Sequence, residues 1–315
     1  MIQRELIYGQ PLLPLSNYGD FMDLFLLFCA TLTATSKILV CKKIGRDTSG
    51  KSGVFLHNGA LFAIGAFVIL ATLLTDIRSV FEISSYSFVL ALLFAVFLLS
   101  KQAAEILALK FGAVSMTELV LSCGFLVPIF YGCFFLGESI SPLQIGGLCV
   151  LIAALVMIIS PKKSERLCIG WLVLAVLSAL SSGINAVIQK IHQASEYDFE
   201  LMPFLFFSLL FCAVFSFIAA FLTRGRTKPV KSASFSKGYL VFLLVFGGLC
   251  VGILNILNLR LAGKLPAVVQ FPIYSIGTMI LTGLAGKFIY KETIGTRKLI
   301  GFIIGCIAIT VIAIF

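Results

Sequence analysis

Apolar residues in this chain come in runs of about twenty, the length that carries an α-helix across a bilayer. The runs lie near residues 21–40, 54–75, 86–109, 113–136, 142–160, 168–190, 201–223, 238–259, 266–289 and 296–315. The more polar breaks between them fall at 41–53, 76–85, 160–167, 192–200 and 224–237. Runs three and four meet at Lys110, Phe111 and Gly112, and runs four and five at Gly137, Glu138 and Ser139. Both pairs should therefore form tight hairpins. No stretch outside the runs could bury a core of its own, so the pattern predicts an all-α polytopic membrane protein of ten helices. Residues 1–20 carry Arg4, Glu5, Pro11, Pro14 and Asp20 without a long apolar run, and read as a short tail rather than a cleavable signal.

Composition agrees with a lipid solvent. Hydrophobic residues make up 60% of the chain, charged residues 12%, and the mean hydropathy is +1.09. A soluble domain carries about 25% charged residues to solvate its surface. The net charge of +10 would suggest nucleic acid in a soluble protein. Here Lys and Arg gather in short loops, where anionic lipid headgroups are the expected counter-charge and nucleic acid is not. Nineteen of the 24 fall on the odd-numbered loops and adjoining span ends, against five on the other face. That bias predicts odd loops in the cytoplasm and both termini outside. The nine cysteines lie within or at the edges of the apolar runs, with no C-x-x-C spacing, and read as small apolar residues rather than metal ligands or disulfides. Trp171 stands at a span entrance, as interfacial tryptophans do.

The two halves can be laid over each other. Residues 30–42 align without a gap on 178–190: small and hydroxylated first, then branched apolar, ending on Lys42 and Lys190. Glu138 opens the fifth span and Glu292 the tenth, each followed nine positions on by Gly147 or Gly301. Five spans is an odd number, so a second copy enters the membrane inverted. Inverted repeats are the plan of many secondary transporters, whose substrate site lies near the midplane. The copies would be 21–160 and 161–315, within one integral membrane unit.

The same residues carry a resemblance. Gly137, Glu138 and Ser139, the run to Gly146 and Gly147 and the aliphatic helix beyond resemble the repeat-end motif of EamA-like proteins in the drug/metabolite transporter superfamily. Tyr290, Lys291, Glu292 and Thr293 through Gly301 resemble its second copy, with Lys291 where the motif usually has Gly. The stretch from Gly170 and Trp171 to Gln189 and Lys190 is similar to the start of an EamA repeat. The resemblance implies a ten-helix carrier of metabolites, amino acids, nucleotide sugars or drugs, with termini in the cytoplasm, opposite to the charge bias.

Ionisable groups within a bilayer core cost about 2.5–3.5 kcal/mol each and face a cavity or a partner. Glu118 sits about six residues into span four, ~9 Å deep at 1.5 Å per residue. It reads as a proton-coupling acid or a ligand for a cationic group, or else as the partner of Lys110 or Lys101. Gln270 falls at or next to the equivalent place in span nine. Lys101 and Glu105 are an i,i+4 pair expected to neutralise each other near a helix end. Asn255 and Asn258 share one face of span eight and could bind substrate or join helices. Lys37 is the repeat mate of Asn185, and would either attract an anionic group or snorkel to the cytoplasmic surface. Tyr274 could stack on a substrate or pack. Pro128 and Pro272 each remove a backbone hydrogen bond in paired helices, which suits a hinge.

A secondary carrier of a small polar metabolite, such as an amino acid or a drug, follows as the leading function. Lipid-linked substrate flipping and a non-transporting scaffold are the alternatives. Enzyme chemistry has little to stand on: the only histidines are His57 and His192, and neither H-E-x-x-H nor G-x-S-x-G occurs. No P-loop, cofactor or metal site is expected. Oligomeric state is left open, and the short tails favour a bacterial inner membrane.

Overall fold

A computed structural model describes residues 18–47, 50–73, 82–111, 120–158, 169–224, 236–290 and 295–315. Among them ten helices run in sequence and no strand occurs. They are α1 (Tyr18–Asp47), α2 (Gly50–Thr72), α3 (Ser85–Phe111), α4 (Val120–Phe135), α5 (Pro142–Ile158), α6 (Ile169–Gln193), α7 (Leu201–Thr223), α8 (Lys237–Ala262), α9 (Ala267–Tyr290) and α10 (Thr296–Ile314). Helix is the outcome that satisfies every backbone group internally where no water is present. Seven of the ten are long and apolar enough to cross a membrane, and α4, α5 and α10 are shorter apolar helices. α1 exceeds its apolar run: the basic residues after Val40 continue the helix to Asp47 instead of breaking it.

The eight most extensive helix pairings map onto themselves when each helix is exchanged with the one five places along. α2 packs on α7, and α5 on α10; α3 on α6 matches α1 on α8; α2 on α8 matches α3 on α7; α1 on α9 matches α4 on α6. α6 shows how these contacts are specified. Ser178, Ser181, Asn185, Gln189 and His192 turn inward, while Leu172, Val173, Val176, Leu177 and Leu180 lie exposed on the outer surface. Its polar face is buried and its apolar face is bare, the reverse of a soluble amphipathic helix and the arrangement lipid favours. The eight described cysteines are all free thiols.

The α4–α5 connection depends on one glycine. Gly137 has φ +67 in the left-handed region, which lets the Glu138 N–H reach back to the Gly132 carbonyl at 3.0 Å and aims the Glu138 side chain into the bundle. Nothing lies within 4 Å of a Cβ added there. Gly137→Ala should therefore cost only the left-handed backbone, about 1–2 kcal/mol, read as a lower unfolding midpoint of the purified protein.

Candidate substrate-binding cavity

Where α4 meets α6, Pro128 cannot donate to the Gly124 carbonyl, and the helix tightens into a 3-10 turn at Cys123–Phe125. Gly124 and Gly183 let the two backbones approach closely at this level: a Cβ on Gly183 would stand 2.7 Å from the Gly124 carbonyl oxygen. Beside this contact a cavity of ≈ 140 Å³ opens in the centre of the bundle. Residues from α1, α2, α3, α4, α6, α8 and α9 line it; α5, α7 and α10 supply none. Both halves of the chain thus contribute to one space.

The lining divides by chemistry. Phe62, Phe94, Phe125, Phe271 and Tyr274 give an aromatic surround. Lys37 from α1 and Lys101 from α3 are the two basic residues of the lining. Ser182, Gln189, Asn185, Asn255, Asn258 and Ser275 add neutral polar groups.

The neutral groups differ in how far they are already engaged. Asn185, its amide oriented by its surroundings, donates to Phe94 O at 3.0 Å and accepts from Leu98 N at 3.0 Å. It thereby clips α6 to one rung of the α3 backbone and serves as a staple before anything else. Asn255 Nδ2 donates to Val251 O of its own helix at 2.8 Å. The Asn258 side chain hydrogen-bonds Tyr274, while its Oδ1 is buried with no hydrogen-bond partner among the described residues. Its own backbone carbonyl receives Gln270 Nε2 at 2.9 Å. Gln270, 1% exposed, supports Asn258 from behind, and its Oε1 is likewise unpartnered.

Of the residues singled out in the sequence, Lys37, Asn185, Asn255, Asn258, Tyr274 and Pro128 come together around the cavity. Gln270 stands behind the wall, and Pro272 lies within α9, next to the lining residue Phe271. Glu118 lies outside the described residues. The expected Lys101–Glu105 neutralisation does not take the form of an ion pair: no oxygen of Glu105 contacts the Lys101 ammonium within 4.0 Å, although the two charges still feel each other. Lys101 lines the cavity and Glu105 does not. The i,i+4 spacing permits contact, but here Lys101 points toward the bundle centre. Ser182 and Gln189 were missed, and their signal was available: with Ser178, Asn185 and His192 they make a polar series at steps of three and four along one helix face.

One end of the bundle is held by charge. Lys190 Nζ donates to Glu138 Oε1 at 2.7 Å and to Leu265 O at 2.6 Å, while Glu138 Oε2 accepts the Ala267 N–H at 2.6 Å. This clasp joins the ends of α4 and α6 to the start of α9, one residue beyond the cavity-lining Gln189. At the same end Lys264 pairs with Asp23 at 3.0 Å. Glu200 receives the N–H and hydroxyl of Ser84, the latter at 2.7 Å. Buried His192 sits between Ser87 at 3.3 Å, Gln193 at 3.2 Å and the ring of Phe204, stacked at 4.3 Å.

The chain from Ile169 in α6 to Ile314 in α10 matches the EamA-like transporter family over residues 169–314. That half of the chain is EamA-like. The matched family is one of transporters, and the match fits a chain in which seven described helices are long and apolar enough to cross a membrane. A crystal structure described only as that of a protein superposes with a TM-score of 0.73 at 16% identity, covering 92% of this chain and 96% of that one. At that identity it establishes a shared fold, and it does so across both the EamA-like half and the half before it. No curated protein matches the chain.

Proposed function

We propose that this protein is a secondary transporter that moves a small polar metabolite across the plasma membrane by alternating access between two inverted five-helix repeats, 21–160 and 161–315. The observation that carries the reading is the central cavity walled by helices of both halves. A site at a repeat interface is exposed to opposite faces in turn as one repeat rocks against the other. The self-mapping helix contacts support the repeat, and the clasp at one end supports a state closed on that side. Pro128 and Pro272 act as hinges in this scheme, at matching helices beside the cavity.

The test is uptake into liposomes by the purified full-length chain, with a radiolabelled panel of amino acids, organic acids, sugar phosphates, sugars and organic cations. Saturable uptake of at least one member is the expected result. Asn258→Ala removes the free acceptor and should raise half-saturation about tenfold, the worth of one well-placed hydrogen bond. Uptake of every panel member at the protein-free rate would overturn the reading.

A further inference from the structure

The cavity has a charge imbalance that narrows what it can take. Lys37 lies ~21 Å along α1 from Asp23 and ~15 Å from the helix end at Asp47, at 1.5 Å per residue. Lys101 is at a similar depth in α3, ~24 Å from Ser85. Both lysines line the cavity about one turn inside the apolar ends of their helices, at Cys41 and Glu105, where a charge needs a partner or a solvated cavity.

Among the described residues no carboxylate lines the cavity, and neither lysine makes an ion pair. Three of the described acids are engaged elsewhere. Glu138 is held by Lys190, Asp23 by Lys264, and Glu200 by Ser84. Glu105, one turn beyond Lys101, offsets that charge from outside the wall. Among the described residues the lining is net positive, set against an aromatic surround and the unpartnered acceptor Asn258 Oδ1.

Resting on the cavity as the transport site, we infer that its substrate is a small organic anion. The carboxylate or phosphate sits at Lys37 and Lys101, and a hydroxyl or amine proton is directed at Asn258 Oδ1. A cationic substrate would meet two like charges with no described acid to receive it. A neutral one would leave both ammonium groups desolvated without a partner. An anion neutralises the wall and gains charge-assisted hydrogen bonds, roughly twice as strong as neutral ones.

The experiment uses the full-length chain in liposomes with radiolabelled glutamate, malate and glucose 6-phosphate, set against leucine, glucose and choline. Saturable uptake should be confined to the anions. Lys37→Gln and Lys101→Gln should each raise half-saturation about 10- to 100-fold, the range for a hydrogen bond to a charged group. Lys37→Arg and Lys101→Arg should stay within a few-fold of wild type, which separates lost charge from lost fold. Uptake of leucine, glucose or choline that the anions do not compete for overturns the inference and leaves the transporter reading standing, as does anion uptake indifferent to both Gln variants. If no compound is taken up, the transporter reading fails instead. Calorimetric binding of the same three anions to the chain in nanodiscs then decides the site: binding lost in Lys37→Gln upholds it, and no binding overturns it.

Discussion

Glu138→Ala should lower the stability of the purified protein by about 3–5 kcal/mol, the cost of removing one partner of a buried ion pair. The Lys190 and Glu138 side chains are 5% and 17% exposed. The substitution strands the Lys190 ammonium with only the Leu265 carbonyl, and it takes the acceptor from the Ala267 N–H at the start of α9. Most of the loss comes from the stranded charge, so Glu138→Ala with Lys190→Met should recover the greater part of it. Replacing a whole buried pair by apolar groups is often close to neutral. Glu138→Gln should fall between the two, since its amide oxygen can still receive Ala267. The measurement is the unfolding midpoint in detergent for the two single variants and the double. A Glu138→Ala variant as stable as wild type, or a double variant worse than either single, would show that the clasp does not hold this end together.

The clasp also illustrates what a sequence withholds. Glu138 stood out as the start of a repeat-end motif and Lys190 as the basic end of another, yet nothing in their 52-residue separation joins them. The contact arises because α4 and α6 end on the same face and Gly137 turns the Glu138 side chain inward. Most of the described helix ends lie within about three residues of the ends of the apolar runs. In lipid the length of an apolar run is the structural signal, and tertiary packing has little power to override it. α1 was the exception, because a basic stretch outside the hydrocarbon core can stay helical or break at little cost.

The site was legible as a set of residue types and less so as roles. Polar residues in apolar helices have few places to go, which is why Lys37, Asn255, Asn258 and Tyr274 converge on one cavity. Their roles depend on neighbours from other helices. Asn185 looked like a ligand until the α3 backbone was seen to occupy both ends of its amide. Lys101 looked neutralised by Glu105 because i,i+4 spacing makes contact available, but a lysine has enough rotamers to choose the cavity instead. The matching contacts of α1–α5 with α6–α10 are what the proposed repeat would produce in three dimensions, and in the sequence only scattered identities point to it.

Gly183→Ala should both destabilise the protein and shut down transport, because the glycine is where α6 and α4 touch at the cavity wall. A Cβ there would lie 2.5 Å from Val127 Cβ and 2.7 Å from the Gly124 carbonyl oxygen. Neither is the end of a flexible side chain, so the two helices must part. One turn along the same contact, a Cβ on Gly124 would meet the Ala179 carbonyl oxygen of α6 at 2.6 Å, so the two helices are close at both levels. Overpacking of this kind costs about 1–3 kcal/mol. Displacement of the 3-10 turn at Cys123–Phe125 would carry Phe125 and Pro128, both lining residues, out of register with Asn258 and Tyr274 across the cavity. The expected result is a lowered unfolding midpoint together with uptake reduced by more than the lost folded fraction explains. Gly146→Ala is the control: no atom lies within 4 Å of a Cβ added at that position in α5, so stability and uptake should both match wild type. If Gly183→Ala transports normally, α4 and α6 separate readily at this point, and the glycine contact does not set the shape of the cavity.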